Sequence, residues 1–308
     1  MFTVLLRAVS FTFIIVIGII MRSTGGASKS AGDFIKKVLL YVTLPSTIIT
    51  NFSAIEDMGI EMVLVALLGS LANIAMIVVG LFLTKKRSKE DQAMYMLCLP
   101  AYNIGAFSLP FVQSFLPALG SVATCMYDVG NSILCTGGTY AFVSEYISDN
   151  KKNGIDLKSF GKRLITSPPL VTYVVMFVLS ILHFKMPQMI LTFVEPMYKA
   201  NTFVAMLMLG ILFHVEFKRE YMMEIAKIVG IRHVFAIICA LLFYFVLPFD
   251  PIIKQTLTII SFAPMSVVAP AYTGMCGGDE GMASCANSVT ILCSLVEITA
   301  LLALMGLS

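Results

Sequence analysis

The sequence predicts an all-α membrane protein with ten transmembrane helices arranged as two inverted five-helix repeats. The first observation is composition, because 58% of the 308 residues are hydrophobic and 13% are charged, against about 25% charged in typical soluble domains. The second is a series of ten apolar runs, each long enough to cross a bilayer. The third is that the fourth and ninth runs contain helix-breaking residues, which predicts broken crossover helices 4 and 9.

The ten runs set the predicted transmembrane spans. The first run is longer than the apolar core of a typical signal peptide, so we interpret it as a span. The seven cysteines form no CxxC pair and have no histidine at metal-ligand spacing, so we predict no metal site, no disulfide and no cofactor. The net charge of +3 is too small to indicate nucleic-acid binding. The predicted spans are 2–21, 34–52, 60–83, 92–115, 119–145, 167–184, 197–215, 228–248, 252–275 and 281–305.

The distribution of lysine and arginine predicts the orientation. Seventeen of the 21 basic residues fall in loops on one predicted side, including Arg232 at the start of span 8, and four fall on the other. Because cytoplasmic loops are enriched in lysine and arginine, the basic loops are predicted to be cytoplasmic. The chain is therefore predicted to be a multi-pass protein of the cell membrane with both termini on the non-cytoplasmic side. Arg232 is interpreted as a topology or phosphate anchor, with the steering of an anion as the alternative.

The order of the spans divides the chain into two halves that enter the membrane in opposite directions. Residues 1–147 form the first predicted repeat, 148–166 a cytoplasmic linker loop, and 167–308 the second repeat. Short internal similarities support a duplication, but they give two registers that the sequence leaves open. An offset of 160 pairs ATC at 123–125 with ASC at 283–285 and Pro110 with Pro270, whereas an offset of 170 pairs LPAY at 99–102 with APAY at 269–272.

The broken helices point to a binding site. Unpaired backbone groups are costly in hydrocarbon, so interruptions persist where protein or a water-filled cavity surrounds them. Matched interruptions in two inverted halves are typical of the substrate site of a secondary transporter, and the N-terminal ends of half-helices favour an anion. The alternative is a pair of kinked packing helices. The candidate substrate-binding residues are Tyr102, Asn103, Gly105, Pro110, Pro264, Ser266, Pro270, Tyr272 and Asn287.

Span 5 carries a polar stripe at three- and four-residue steps, which places these side chains on one helical face. Asp128 lies in the middle of the span, where a charge costs roughly 2.5–3.5 kcal/mol on insertion scales. We therefore predict Asp128, Asn131 and Ser132 as candidates for proton or sodium coupling. The alternative for Asp128 is a protonated, hydrogen-bonded core residue.

The segment YNIGAFSLP, residues 102–110, resembles the Asn-x-Gly-Phe-x-Gly-x-Pro signature in the fourth helix of the auxin efflux carrier family, the PIN-like permeases. Asn103, Gly105 and Pro110 match that signature. Phe107 stands one place later than the family's aromatic residue, and Ser108 replaces its second glycine. The segment GIRHVFAI at the start of span 8, residues 230–237, and the sequence across spans 9 and 10, residues 263–295, also resemble bacterial members of the family.

The resemblance implies a fold shared in outline with bile-acid/sodium symporters. Helices 1, 2, 6 and 7 would form a scaffold that forms a homodimer within the lipid bilayer. Helices 3–5 and 8–10 would form a transport domain that moves like an elevator and carries a small organic anion, a carboxylate. The implied protein is not an enzyme, and its coupling to protons, to sodium or to neither stays open.

Two other classes compete with a transporter. The segment MYDVG at 126–130 contains the Tyr-Asp pair of intramembrane aspartyl proteases, and CGGD at 276–279 resembles their second motif without its first glycine. Such an enzyme needs Asp128 and Asp279 to meet within hydrogen-bonding range. The third class is a membrane sensor that binds without transporting, although no output domain is attached.

Overall fold

A computed structural model of the protein describes residues 2–55, 59–148, 157–215 and 218–307. Within these ranges the chain is helical and forms no β-strand beyond one isolated bridge. The predicted linker at 148–166 falls partly outside them, and its described C-terminal part contains a short helix. The fold is therefore all-α, as the composition predicts.

The chain forms fifteen α-helices within the described residues. Several begin at a side chain that caps free backbone N–H groups, as Ser88 does for α5 and Asp279 for α15. The helices are α1 (Phe2–Ser23), α2 (Lys29–Val38), α3 (Leu44–Ser53), α4 (Ile60–Thr84), α5 (Lys89–Cys98), α6 (Leu109–Phe115), α7 (Ala118–Ile133), α8 (Thr139–Ile147), α9 (Leu157–Ile165), α10 (Pro168–Ile181), α11 (Gln188–Leu212), α12 (Arg219–Leu241), α13 (Pro251–Ile260), α14 (Ala269–Met275) and α15 (Glu280–Leu304).

Four π-helical turns extend or join these helices. They widen the helix locally, and such turns are frequent at functional sites. One of them directly precedes α6, and another joins α7 to α8. The π-helical turns are Leu39–Thr43, Ile104–Ser108, Leu134–Gly138 and Leu242–Val246.

Among the residues that the structure describes, four helical segments are long and apolar enough to cross a membrane, namely Leu6–Ser23, Ile60–Thr84, Arg219–Val246 and Glu280–Leu304. Large apolar side chains such as Phe82 on α4 point outward from these segments. An exposed apolar surface of this kind is favourable in lipid and unfavourable in water. Length and composition therefore indicate a membrane protein.

Two close helix pairs organise the packing. In the first pair, α1 lies so close to α11 that a Cβ atom on Gly210 would lie 2.1 Å from the carbonyl oxygen of Ile15. In the second pair, α4 lies so close to α7 that a Cβ atom on Gly130 would lie 1.9 Å from the carbonyl oxygen of Ala66. Small residues permit this approach of helix backbones inside membranes. The glycines thus fix α1 to α11 and α4 to α7.

The fourth and ninth predicted runs are each divided into two helices. The fourth predicted run, 92–115, contains α5, a non-helical segment at 99–103, a π-helical turn and α6. The ninth, 252–275, contains α13, a non-helical segment at 261–268 and α14. We call these two non-helical segments the first break and the second break.

Candidate functional site

The two breaks cross each other in the protein interior. Tyr102 of the first break and Met265 of the second form an isolated antiparallel β-bridge. The N–H of Asn103 donates to the carbonyl of Pro264 at 2.9 Å, and the N–H of Ser266 donates to the carbonyl of Ala101 at 3.2 Å. Each interrupted helix thus satisfies backbone groups of the other, which makes the interruption tolerable away from water.

The helix that comes after each second half-helix supplies an asparagine to the break. Asn131 of α7 donates from Nδ2 to the carbonyl of Tyr102 at 3.0 Å. Asn287 of α15 donates from Nδ2 to the carbonyl of Met265 at 3.2 Å, and the hydroxyl of Thr290 accepts from the N–H of Met265 at 3.1 Å. Both members of the bridging pair are therefore held by polar side chains as well as by each other.

A cavity of about 430 Å³ lies beside the crossing. This volume falls in the range of small-molecule pockets. Lys36 of α2, and Cys135 and Thr136 of the π-helical turn that follows α7, also contribute to its wall. Eight of the residues predicted from sequence line it: Tyr102, Asn103, Gly105, Asp128, Asn131, Ser132, Ser266 and Tyr272.

The other four predicted residues do not line this cavity. Pro110 lies within the second half-helix, where the π-helical turn Ile104–Ser108 meets α6, and it does not form part of the cavity wall. Pro264 lies in the second break, where its carbonyl accepts from Asn103. Pro270 and Asn287 line a second cavity of about 290 Å³ on the α15 side of the crossing.

Asp128 is buried in the wall of the larger cavity, with 5% of its surface exposed. Its Oδ1 accepts from Asn131 Nδ2 at 2.8 Å, and its Oδ2 accepts from the hydroxyl of Tyr173 at 2.9 Å. A Cβ atom on Gly105 would lie 2.9 Å from that same Oδ2 atom. Glycine at 105 therefore leaves the space that the carboxylate occupies.

Asn103 has a buried side-chain amide whose Nδ2 finds no hydrogen-bond partner among the described residues. Its side chain is 6% exposed and lines the cavity, and its Nδ2 makes no hydrogen bond. A buried N–H group without a partner is uncommon because it forfeits its hydrogen bonds to water. The arrangement leaves a donor next to the cavity for a group that accepts hydrogen bonds.

Arg232 is not at the cytoplasmic end of its helix, so the interpretation as a topology or phosphate anchor is wrong. The helix begins at Arg219, which places Arg232 about 20 Å along its axis. The side chain is buried, and its guanidinium lies over the ring of Tyr102, with 4.5 Å between Cζ and the ring centroid. Its N–H groups donate to backbone carbonyls of the two breaks and the end of α5, so they are not free for a phosphate.

Sequence reasoning also missed Tyr173 and Lys36 as residues near the site. Tyr173 lies in the apolar helix α10, where a single hydroxyl gives no periodic signal. Lys36 was counted as a loop residue, but it lies in α2 and lines the cavity. A search for isolated polar groups near span ends would have selected Lys36, whereas Tyr173 required the three-dimensional packing.

Asp128 and Asp279 do not form a carboxylate pair. Asp279 caps α15 by accepting from the N–H of Met282 at 2.9 Å, and it accepts from the hydroxyl of Tyr221 at 2.8 Å. Burial raises the pKa of Asp279, but these hydrogen bonds outweigh burial and the net shift is downward. Among the residues that the structure describes, no cluster of three or more His, Cys, Asp or Glu side chains could hold a metal ion.

The sequence matches no protein-family model, and no curated protein is detectably similar to it.

Proposed function

We propose that the protein is a secondary transporter that carries a small organic anion, a carboxylate, across the cell membrane. The observation that carries the proposal is the buried crossing of two interrupted helices beside a cavity of about 430 Å³. Crossings of discontinuous helices form substrate sites in secondary transporters because their free backbone groups and helix dipoles bind ions and anions. The resemblance of residues 102–110 to the PIN-like signature supports the same assignment.

The proposed fold has ten spans in two inverted repeats, with both termini outside the cytoplasm. Two observations support the repeat. The half-helices α6 and α14 each have seven residues with proline in second position, and they start 160 residues apart. The helix after each of these half-helices supplies an asparagine to the bridge, Asn131 from α7 and Asn287 from α15. These features favour the 160-residue register over the 170-residue register.

The proposed transport cycle is an elevator. The scaffold comprises α1–α3, α10 and α11, and it forms the proposed homodimer in the bilayer. The transport domain comprises α4–α8 and α12–α15. Contacts between α1 and α11, and between α3 and both α10 and α11, support the first group, while contacts of α4 with α7 and of α12 with α15 support the second. The hydrogen bond from Tyr173 to Asp128 would connect the two groups.

The cavity has the donors that a carboxylate requires. The amide of Asn103, whose Nδ2 has no partner among the described residues, provides one hydrogen bond, and Lys36, which also lines the cavity, provides a positive charge. A charge-assisted hydrogen bond contributes about 1.5–3 kcal/mol, so these two groups favour a carboxylate over a neutral molecule. Asp128 on the opposing helix α7 is the group we propose for proton coupling.

The experiment is a thermal-shift screen of the purified protein with mono- and dicarboxylates at several pH values, followed by uptake in proteoliposomes. We expect at least one small carboxylate to raise the melting temperature and to accumulate inside the vesicles. Amides and alcohols of the same size serve as matched controls and should do neither. Stabilisation without any uptake or exchange would contradict transport and would favour a sensor. The absence of stabilisation by every carboxylate would contradict an anion site.

A further inference from the structure

Arg232 sits where the carbonyl ends of the two interrupted helices meet. Its Nη1 donates to the carbonyls of Cys98 at 3.1 Å and Ala101 at 3.1 Å, as well as to that of Leu99 between them. Its Nη2 donates to the carbonyl of Ala263 at 3.0 Å. Cys98 ends α5, whereas Ala263 follows α13 in the second break. One guanidinium thus joins four carbonyls from both interrupted helices.

A set of convergent carbonyls at helix C-termini attracts cations. The end of each helix carries a partial negative charge, and its last carbonyls lack helical partners. In secondary transporters, such unwound carbonyls and C-terminal ends of half-helices coordinate the coupling Na⁺ or proton. The arrangement around Arg232 therefore has the ligands of a cation site, and an arginine side chain occupies it.

The charge of Arg232 is not neutralised by a carboxylate among the described residues. Glu297 lines the same small space, but its carboxylate lies 2.5 Å from Nε2 of His233. The space itself measures about 10 Å³, which is no larger than one water requires. A hydrated ion therefore has no room beside the guanidinium. The carbonyl dipoles and the ring of Tyr102 are what stabilise this buried cation.

We infer that Arg232 is a built-in cation that replaces a dissociable metal cation at the crossing, so that neither folding of the crossing nor anion binding beside it requires sodium. Tyr102 separates the guanidinium from the larger cavity, because its ring contacts Arg232 and it also lines that cavity. The fixed positive charge then stays with the transport domain in every conformation. The part concerning coupling rests on the proposed transport function, whereas the part concerning the carbonyl cluster does not.

The test measures melting temperatures of the purified protein in sodium, potassium, guanidinium or choline chloride at equal ionic strength, with no organic anion present. For the wild type we expect the same melting temperature in sodium, potassium and choline, within about 1 °C. For Arg232→Ala we expect a loss of about 5 °C or more in choline, with recovery of about half of that loss by sodium, potassium or guanidinium, which bind the vacated carbonyls. Arg232→Lys keeps a fixed charge and should show no such dependence.

Arg87→Ala is the matched control. Arg87 also lies over a tyrosine ring, that of Tyr95, but it binds the carboxylate of Glu224 at 2.8 Å and is partly exposed. Any fall in melting temperature caused by Arg87→Ala should be the same in sodium and in choline.

Two results would overturn the inference: a wild type that melts about 5 °C or more higher in sodium than in choline, or a folded Arg232→Ala variant that no small cation stabilises. If Arg232→Ala does not fold, the melting temperatures of the wild type and of Arg232→Lys test the inference instead. A higher melting temperature in sodium than in choline for either protein would contradict a built-in cation. Carboxylate uptake that persists when choline replaces sodium tests the coupling part separately. The melting test does not depend on transport. Failure of the built-in cation and failure of the proposed transport function can therefore be told apart.

Discussion

The two breaks are supported in the same way but differ in their charge. On the first break, Asn131 donates to the carbonyl of Tyr102, and one helical turn earlier α7 carries Asp128. On the second break, Asn287 donates to the carbonyl of Met265, and one turn earlier α15 carries Ser284. The amide is common to both sides, whereas the carboxylate is found on one.

This difference separates what the fold needs from what the chemistry needs. Each break must satisfy its backbone groups away from water, and an asparagine on the following helix meets that requirement twice. A carboxylate in the membrane interior is costly, and the second break is satisfied without one, although Asp128 also accepts from the backbone N–H of Gly105. Under the proposed function, Asp128 and Asn103 at the first break bind the proton and the ligand, while the second break contributes Ser266 to the same cavity.

The largest effect is expected for Asp128→Asn. If one proton accompanies each anion through Asp128, wild-type accumulation changes about tenfold per unit of imposed pH difference. Asparagine keeps the shape of the side chain but cannot take up a proton, so this dependence should disappear. Uptake into proteoliposomes under imposed pH gradients measures it. Ser284→Ala, the matched position on α15, should leave the gradient dependence unchanged, and a pH-dependent Asp128→Asn variant would remove Asp128 from coupling.

The second effect compares the two supporting asparagines. Asn131 takes part in three hydrogen bonds, with Tyr102, Asp128 and Asn73, whereas Asn287 makes one through its Nδ2. At about 1 kcal/mol for each hydrogen bond, Asn131→Ala should destabilise the protein by about 3 kcal/mol and Asn287→Ala by about 1 kcal/mol. Unfolding in detergent micelles measures both. Equal losses would show that the two breaks are supported more symmetrically than the hydrogen bonds indicate.

The third effect concerns Gly105, which lies in the π-helical turn after the first break. A Cβ atom at Gly105 would lie 2.9 Å from Asp128 Oδ2 and 3.1 Å from Leu44 Cδ2. Gly105→Ala should therefore cost roughly 1–3 kcal/mol through overpacking. Gly230→Ala is the control, because a Cβ atom there meets nothing within 4 Å. Melting temperatures compare the two, and a neutral Gly105→Ala would show that the carboxylate can move aside.

The smallest effect is expected for Tyr173→Phe. The change removes one hydrogen bond to Asp128 Oδ2, which contributes about 1 kcal/mol. Tyr244→Phe is the control, because Tyr244 is exposed in the π-helical turn after α12, and it should stay within about 0.5 kcal/mol. Thermal unfolding of both variants measures the difference. A Tyr173→Phe variant as stable as the control would mean that the hydroxyl contributes nothing to holding Asp128.

The sequence was sufficient to predict an apolar, helical chain and the approximate place of both breaks, because composition and proline act locally. From the sequence, Pro110 and Pro270 are predicted to interrupt their helices, but neither residue lies in a non-helical segment. Pro270 lies in the first turn of α14, where proline is tolerated, whereas Pro110 lies inside the second half-helix, where the π-helical turn meets α6.

Long-range partners could not be predicted. Arg232 was assigned to the cytoplasmic end because its helix was predicted to start at 228, nine residues later than it does. Its carbonyl partners lie more than a hundred residues away for α5 and 31 residues away for Ala263. Tyr173 likewise reaches Asp128 across 45 residues. No local pattern encodes such pairings, because they depend on how the helices pack.

The most direct test of the central claim, that the crossing binds an anion, is equilibrium binding of a labelled carboxylate from the thermal-shift screen to Asn103→Ala. The matched control is Asn201→Ala, which also removes a buried amide with an unpartnered Nδ2, but away from the cavity. We expect about tenfold weaker binding for Asn103→Ala, which corresponds to about 1.4 kcal/mol, with unchanged affinity for Asn201→Ala. Equal affinities of wild type and Asn103→Ala, with both proteins folded, would contradict an anion site at the crossing.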